Sequence, residues 1–433
     1  MAKYKGVNVR QLSHLYLAIS VFGLSSPVSA HSDFSLPFVN SSSLGVAYAD
    51  WASAASDAST SYTNPAGLVK LPHQQIVGNL LGITGTARFT GTSVTPSFPF
   101  PFPVVQSGVA HSQIKAFMPS FYYAAPLNQR ISVGLNFTTP FGLGTNYGSS
   151  RSSIARYAST RSQVVGIDVG PSLGMKITDR FSIGGGFDAL HLAFTLNNMY
   201  GPPISFPFDS RLENHLSGWG YGGHGGLLFD FSPVTRIGLS YYSKISITTN
   251  GHSTVRIPFG GVFRTNQQET KAALPARAQL SVQHDFTPRW TGMGTVFYTN
   301  WRTFNQITME HTETPFGVTI PVTIPFNYHN CFDYAVGATF KATEKLLLRG
   351  GIQFMSTPSN DKDRGIADPV GSATILAVGA HFQPTENLGY DVGVGHSFFN
   401  QMPVNLVTPV TSLSGHTNTQ TTAIGGQITW SFA

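Results

Sequence analysis

The sequence predicts an all-β protein: a transmembrane antiparallel 14-stranded β-barrel with an N-terminal hatch, or plug, in its lumen. Three observations carry that expectation. Apolar and polar residues alternate with period two through most of the 433 residues. Ile131, Val133, Leu135 and Phe137 interleave with Ser132, Gly134, Asn136 and Thr138, and Leu280, Val282, His284 and Phe286 with Gln279, Ser281, Gln283 and Asp285. That is the period of a strand with two unlike faces. Charged residues make up only 11% of the chain, against about a quarter in ordinary soluble domains. Tight turns then fix the strand count. They fall at 127–129, 178–180, 232–234, 287–289, 343–345 and 384–387, each with an alternating run on both sides. Six hairpins give twelve strands, and one more at each end, about Gln74 to Phe89 and about Thr421 to Phe432, makes fourteen. A single-chain bacterial outer-membrane barrel requires an even number.

A soluble β-sandwich would alternate too. One of this length would need several domains, and no shift of composition marks a boundary. The barrel inverts the pattern, turning apolar residues to lipid and small polar ones to the lumen. Asp168, Asp230, Asp285, Asp333, Lys341, Arg349 and Asp391 interrupt the polar face. No run of 18 apolar residues follows the N-terminal segment, so helical spanning is excluded.

Taken in order, residues 1–30 read as a signal peptide: Lys3, Lys5 and Arg10, an apolar run from Leu15 to Leu24, then Pro27-Val28-Ser29-Ala30. Its basic residues account for half of the formal charge of +6, and the rest is too scattered for a nucleic-acid partner. Residues 31–72 do not alternate and are assigned to the hatch. Within them Asn64-Pro65-Ala66-Gly67 predicts a stiff elbow, because proline fixes its own φ, restricts the residue before it, and Gly67 allows a reversal. Residues 73–433 form the barrel. Its long connections place Phe and Pro where loops are normally polar: Phe98, Phe100 and Phe102, then Phe206 and Phe208, then Phe316. Proline keeps these segments out of the ladder, and the rings offer an apolar surface for contact with a ligand. At the end of the third strand, Pro140, Phe141, Gly142 and Gly144 remove a ladder donor and permit a bend, so the wall is expected to be interrupted there.

Signals for chemistry are weak. Gly170-Pro171-Ser172-Leu173-Gly174 matches the G-x-S-x-G pattern of hydrolases but lies inside an alternating strand, where Ser172 has no strand-to-helix elbow. Gly218-Trp219-Gly220-Tyr221-Gly222-Gly223 has no βαβ unit around it. The histidines are dispersed, so no metal or other cofactor is expected. Cys331 is the single cysteine and can form no internal disulfide.

Ser43-Leu44-Gly45-Val46-Ala47-Tyr48-Ala49, Ala54-Ala55-Ser56-Asp57-Ala58 and Asn64-Pro65-Ala66-Gly67 together resemble the N-terminal hatch of the FadL/TodX (OmpP1) family of outer-membrane transporters of hydrophobic compounds. Leu274-Pro275, Tyr298-Thr299-Asn300-Trp301 with Phe304, and Asp391 to His396 resemble later strands of that family. The resemblance implies a monomer in the bacterial outer membrane, among lipid and lipopolysaccharide. It would carry hydrophobic small molecules, long-chain fatty acids or aromatic hydrocarbons, passively, with no enzymatic activity. A kink in the third strand would open a lateral gap beside the hatch. Fatty-acid-transporting members hold the carboxylate with basic residues, and the stretch from Phe187 to Phe194 has no Arg or Lys, which weighs against a fatty acid. The rival readings are an outer-membrane lipase or esterase using Ser172, and a general porin.

Overall fold

The computed structural model describes residues 39–97, 102–150, 152–201, 209–258, 260–367, 369, 371–408 and 410–432. The signal-peptide segment, the first hatch residues, and Phe98, Phe100, Phe206 and Phe208 lie outside the described residues.

Fourteen strands close into one antiparallel barrel. They are β1 (Gln75–Thr95), β2 (Val104–Pro126), β3 (Ile131–Asn146), β4 (Arg161–Lys176), β5 (Phe181–Tyr200) and β6 (Ser210–Ser232). Four interrupted strands follow: β7 (Thr235–Tyr242 and Ile245–Arg256), β8 (Val262–Leu274 and Arg277–Asp285), β9 (Trp290–Thr299 and Gln306–Glu313) and β10 (Thr319–Pro325 and Cys331–Lys341). The wall ends with β11 (Leu346–Met355), β12 (Ala373–Thr385), β13 (Leu388–Phe399 and Met402–Val407) and β14 (Ser412–Ser431). β14 pairs with β1 from Ser431 opposite Gln75 to Ser412 opposite Val94, so no edge is left. Closure is what lets strands stand in lipid, since it leaves no free sheet edge. All six short turns fall where the alternating runs put them, and by the asymmetry of such barrels they mark the periplasmic end.

The faces follow the alternation. On β14, Ile424, Ile428, Trp430 and Phe432 are exposed on the outside, while Gln427 is buried within. The inside is filled in its periplasmic half by residues 39–71, within the segment assigned to the hatch. It contains two one-turn helices, α1 (Ser41–Leu44) and α2 (Thr60–Thr63), and a 3-10 helix over Pro65–Lys70. Such short pieces are not stable alone; the wall holds them. Ser41 N donates to Asn79 Oδ1 (2.9 Å), Ala52 N to Ser281 Oγ (2.9 Å) and Thr295 Oγ1 to Ala49 O (2.7 Å), on β1, β8 and β9. Where the hatch backbone comes closest, the wall has glycine. A Cβ on Gly238 would lie 1.9 Å from Ala52 O, and one on Gly351 2.2 Å from Val46 O.

Asn64 is the centre of the elbow. It is fully buried and extended (φ −160°, ψ 96°). Its Oδ1 accepts from Ala66 N at 3.1 Å, capping the 3-10 helix, and its Nδ2 donates to Ala52 O (2.6 Å) and to Leu227 O of β6 (3.1 Å). One side chain therefore ends one hatch turn, starts the next and bonds to the wall. Gly67 departs from expectation: it is not among the glycines with positive φ and makes no reversal. It is small because Thr60 Oγ1 would lie 2.3 Å from its Cβ.

The wall is incomplete at β3. β2 pairs with β3 only from Phe121 opposite Phe137 to Pro126 opposite Ser132, while its partnership with β1 runs on to Val104. Above Phe137, β3 leans away with β4, and their register shifts between Thr138 and Phe141. Thr138 opposes Asp168 and Phe141 opposes Gly166, so β3 carries one extra residue. A bulge of one residue reverses the faces beyond it. Phe141, which strict alternation would turn to lipid, is buried inside. The seam is bridged farther up by Asn146 N donating to Ser112 Oγ at 2.7 Å.

Candidate functional site

Beside the bulge and above the hatch lies a small, narrow chamber. It is lined by Tyr62 of the hatch, Pro140 and Phe141 of β3, Asp168 of β4, Asp188 and Leu190 of β5, and the residues flanking the breaks in β7 and β8, among them Tyr242 and Arg277. The breaks have local causes. Pro275 removes a donor from β8, and β9 leaves its ladder after Asn300 for the 3-10 turn Trp301–Thr303. That turn drives Trp301 into the lumen, where it is fully buried with its ring edge-on to Phe304 (6.2 Å) and Tyr328 (5.8 Å). With Leu190, Leu192 and Phe194 these rings make an apolar cluster that continues from Phe141 toward the outside. The free volume is only about 20 Å³, room for roughly one water. A ligand therefore has to displace side chains or the hatch to enter.

The floor of the chamber is polar. Arg277 Nη2 donates to Tyr62 Oη at 3.1 Å, and its guanidinium lies over the rings of Tyr242 (4.6 Å) and Phe141 (5.6 Å). Two buried carboxylates, Asp168 and Asp188, share the cavity with it. His224 Nδ1 is 2.6 Å from Asp188 Oδ1, and its Nε2 is 3.0 Å from Ser61 O of the hatch. Burial pushes the Tyr62 phenol up, which keeps it a neutral hydrogen-bonding group.

Of the residues picked out in the sequence, Pro140 and Phe141 line this chamber and Gly142 and Gly144 follow them on β3. Asn64, Pro65, Ala66 and Gly67 support it from below and do not line it. Phe102 and Phe316 project from loops, 79% and 70% exposed. Ser172 is a buried mid-strand residue of β4, and Gly218 to Gly223 lie within β6, so neither motif has the backbone its chemistry needs. Arg277, Asp188, His224 and Tyr242 were not foreseen. The stretch from Phe187 to Phe194 holds no Arg or Lys; the guanidinium comes from β8, three residues after Leu274. His215 and His252, far apart in sequence, sit 5.1 Å ring to ring across β6 and β7. No cluster of three metal-binding side chains occurs among the described residues.

Residues 23–432 match the profile of the outer membrane protein transport protein family (OMPP1/FadL/TodX). The chain belongs to this family. Curated relatives include outer membrane protein P1 of Haemophilus influenzae, 24% identical over 84% of this chain and 85% of its own, and the long-chain fatty acid transport protein of Salmonella typhi, 23% identical over 86% and 88%. Among solved structures, a Pseudomonas aeruginosa FadL homologue superposes with a TM-score of 0.81 at 20% identity, covering 93% of this chain and all of that one. The Pseudomonas putida toluene transporter TodX gives 0.66 at 15%, covering 88% and 95%. Membership places the barrel in the bacterial outer membrane, among transport proteins and not enzymes.

Proposed function

We propose that this barrel carries neutral hydrophobic small molecules across the outer membrane without an energy source, releasing them sideways through the seam between β2 and β3. The observation that carries this reading is the chamber's position. Its wall residues Pro140 and Phe141 belong to the bulge at which β3 parts from β2. A ligand that displaces the hatch then faces an apolar cluster on one side and an unpaired stretch of wall on the other. Exposed rings such as Phe102 and Phe316 would receive it at the outer surface. Closed pairing from β1 to β14 fits a monomer standing among lipid and lipopolysaccharide.

The charges favour a neutral cargo. Arg277 is the chamber's guanidinium, yet Asp168 and Asp188 line the same space, so a ligand carboxylate would meet two acids beside one base. Burying a further carboxylate in a low dielectric is costly unless a cation is free to pair with it, and this guanidinium is already engaged. The stacked, hydrogen-bonded guanidinium reads as the support of Tyr62 and Tyr242.

Two measurements test this. In a host lacking its own transporter, the protein should raise toluene uptake and leave oleate uptake unchanged; the reverse would remove the neutral cargo. Deleting Pro140 takes out the extra residue of the bulge and should let β3 zip to β2. Toluene uptake should then fall to the level of the host alone while the barrel still folds, and unchanged uptake would show that the seam is not the exit.

A further inference from the structure

The outer wall also carries a groove, on the face opposite the lumen. β1 turns small residues outward at Thr84 and Thr86, while its neighbours turn out long ones, Gln113 and Lys115 on β2 and Gln420 and Asn418 on β14. A low central strand between two high ones makes a trough. Two concavities of about 330 and 510 Å³ fill it, sharing Thr86 and Gln420. Their cations are Lys115 in one and Arg88 in the other, with His111 and His416 beside Arg88, and neither is lined by an aspartate or glutamate. Among the described residues no hydrogen bond or ion pair is made by the side chains of Arg88 or Lys115, so both cations face outward without an anion.

The height of the groove identifies what meets it. Arg88 is twelve residues up β1 from Ile76 and Lys115 ten residues up β2 from Ala125. At about 3.3 Å per residue and a tilt of roughly 40°, they stand about 30 and 25 Å above the periplasmic rim. The apolar band of such barrels is about 25 Å tall, and here it ends at Phe117, 69% exposed and one outward step below Lys115. The groove therefore begins where hydrocarbon ends in the outer leaflet. At that level the leaflet carries phosphorylated sugars.

We propose that this groove, on β14, β1 and β2, binds the phosphorylated headgroup of lipopolysaccharide. Arg88 and Lys115 pair with its phosphates, and Gln113, Asn418, Gln420 and Thr86 hydrogen-bond its sugar hydroxyls and amides. Guanidinium and ammonium groups at a membrane surface are matched by anionic headgroups in this way. The proposal rests on the outer-membrane location but not on the cargo or its exit.

The folded barrel in detergent can be titrated with rough-type lipopolysaccharide and with the same lipid after removal of its phosphates, with binding read by native mass spectrometry. The phosphorylated form should bind at least about tenfold more tightly, and Arg88→Gln with Lys115→Gln should lose at least about tenfold. Thr86→Trp, which fills the trough and keeps both charges, should lose as much, and it decides the matter if the double variant does not fold. Arg256→Gln with Lys271→Gln removes the same charge elsewhere and should keep wild-type binding. Equal binding of the dephosphorylated lipid, or equal loss in that control, would overturn the proposal. So would saturation by inorganic pyrophosphate alone at lipopolysaccharide concentrations, which would mark a free-anion site. Toluene uptake should be unchanged in Arg88→Gln with Lys115→Gln, so a failed transport reading and a failed groove give different results.

Discussion

Gly238 shows how closely the hatch is fitted to the wall. Any Cβ there would overlap Ala52 O, a backbone atom that no side-chain rotation can move. Gly238→Ala should therefore loosen the hatch, and planar-bilayer recording should show openings absent from the parent barrel. Gly78→Ala is the control, since its Cβ meets nothing within 4 Å, and it should be silent. The outer face answers to a different solvent. Ile428 is 53% exposed and three pairs in from the Gln75–Ser431 pair that closes the periplasmic end, about 8 Å above the periplasmic rim and within the apolar band. Ile428→Arg should destabilise the barrel by about 2 to 4 kcal/mol if it lies near the midplane, and by less toward the interface. Denaturant titration in lipid vesicles measures this, and no change would mean that this face does not meet lipid.

Among the elements, β3 departs furthest from a regular strand. One extra residue between Thr138 and Phe141 does three things at once: it ends pairing with β2, turns Phe141 inward, and sets Pro140 against the chamber. Bulges cost some ladder bonding locally, and in a lipid-facing wall an unpaired stretch is tolerable only where something else covers it. The bond from Asn146 to Ser112 limits the seam at its outer end. Ser112→Ala should lengthen the opening and raise toluene uptake modestly, about twofold or less for the loss of one hydrogen bond. A fall in uptake would argue that this bond holds the exit open.

At the scale of the whole molecule, the hatch and the wall are complementary surfaces, and neither is complete without the other. A barrel of fourteen strands is wider than its own side chains can fill, and here residues 39–71 fill the periplasmic half. Deleting residues 31–72 should leave a folded barrel that conducts ions steadily, whereas the intact protein should not. Equal conductance of the two would show that the segment is not a plug.

The strand count, the position of all six short turns, the facing of residues and the presence of a non-alternating N-terminal segment were legible in the sequence, because a membrane barrel enforces period two on nearly every residue. The register shift between Thr138 and Phe141 coincides with Pro140, and proline constrains backbone conformation locally. Arg277, Asp188, His224 and Tyr242 were not legible. They come from four successive strands, β5 to β8, and meet through register, Tyr242 lying opposite both His224 and Arg277. Gly67 was misread because its smallness answers to Thr60 across a turn and not to its own φ. Local alternation thus determined the wall, while the chamber depended on the register between neighbouring strands and on the closure that sets Arg277 of β8 over the Phe141 ring of β3, and only the tertiary structure decides those.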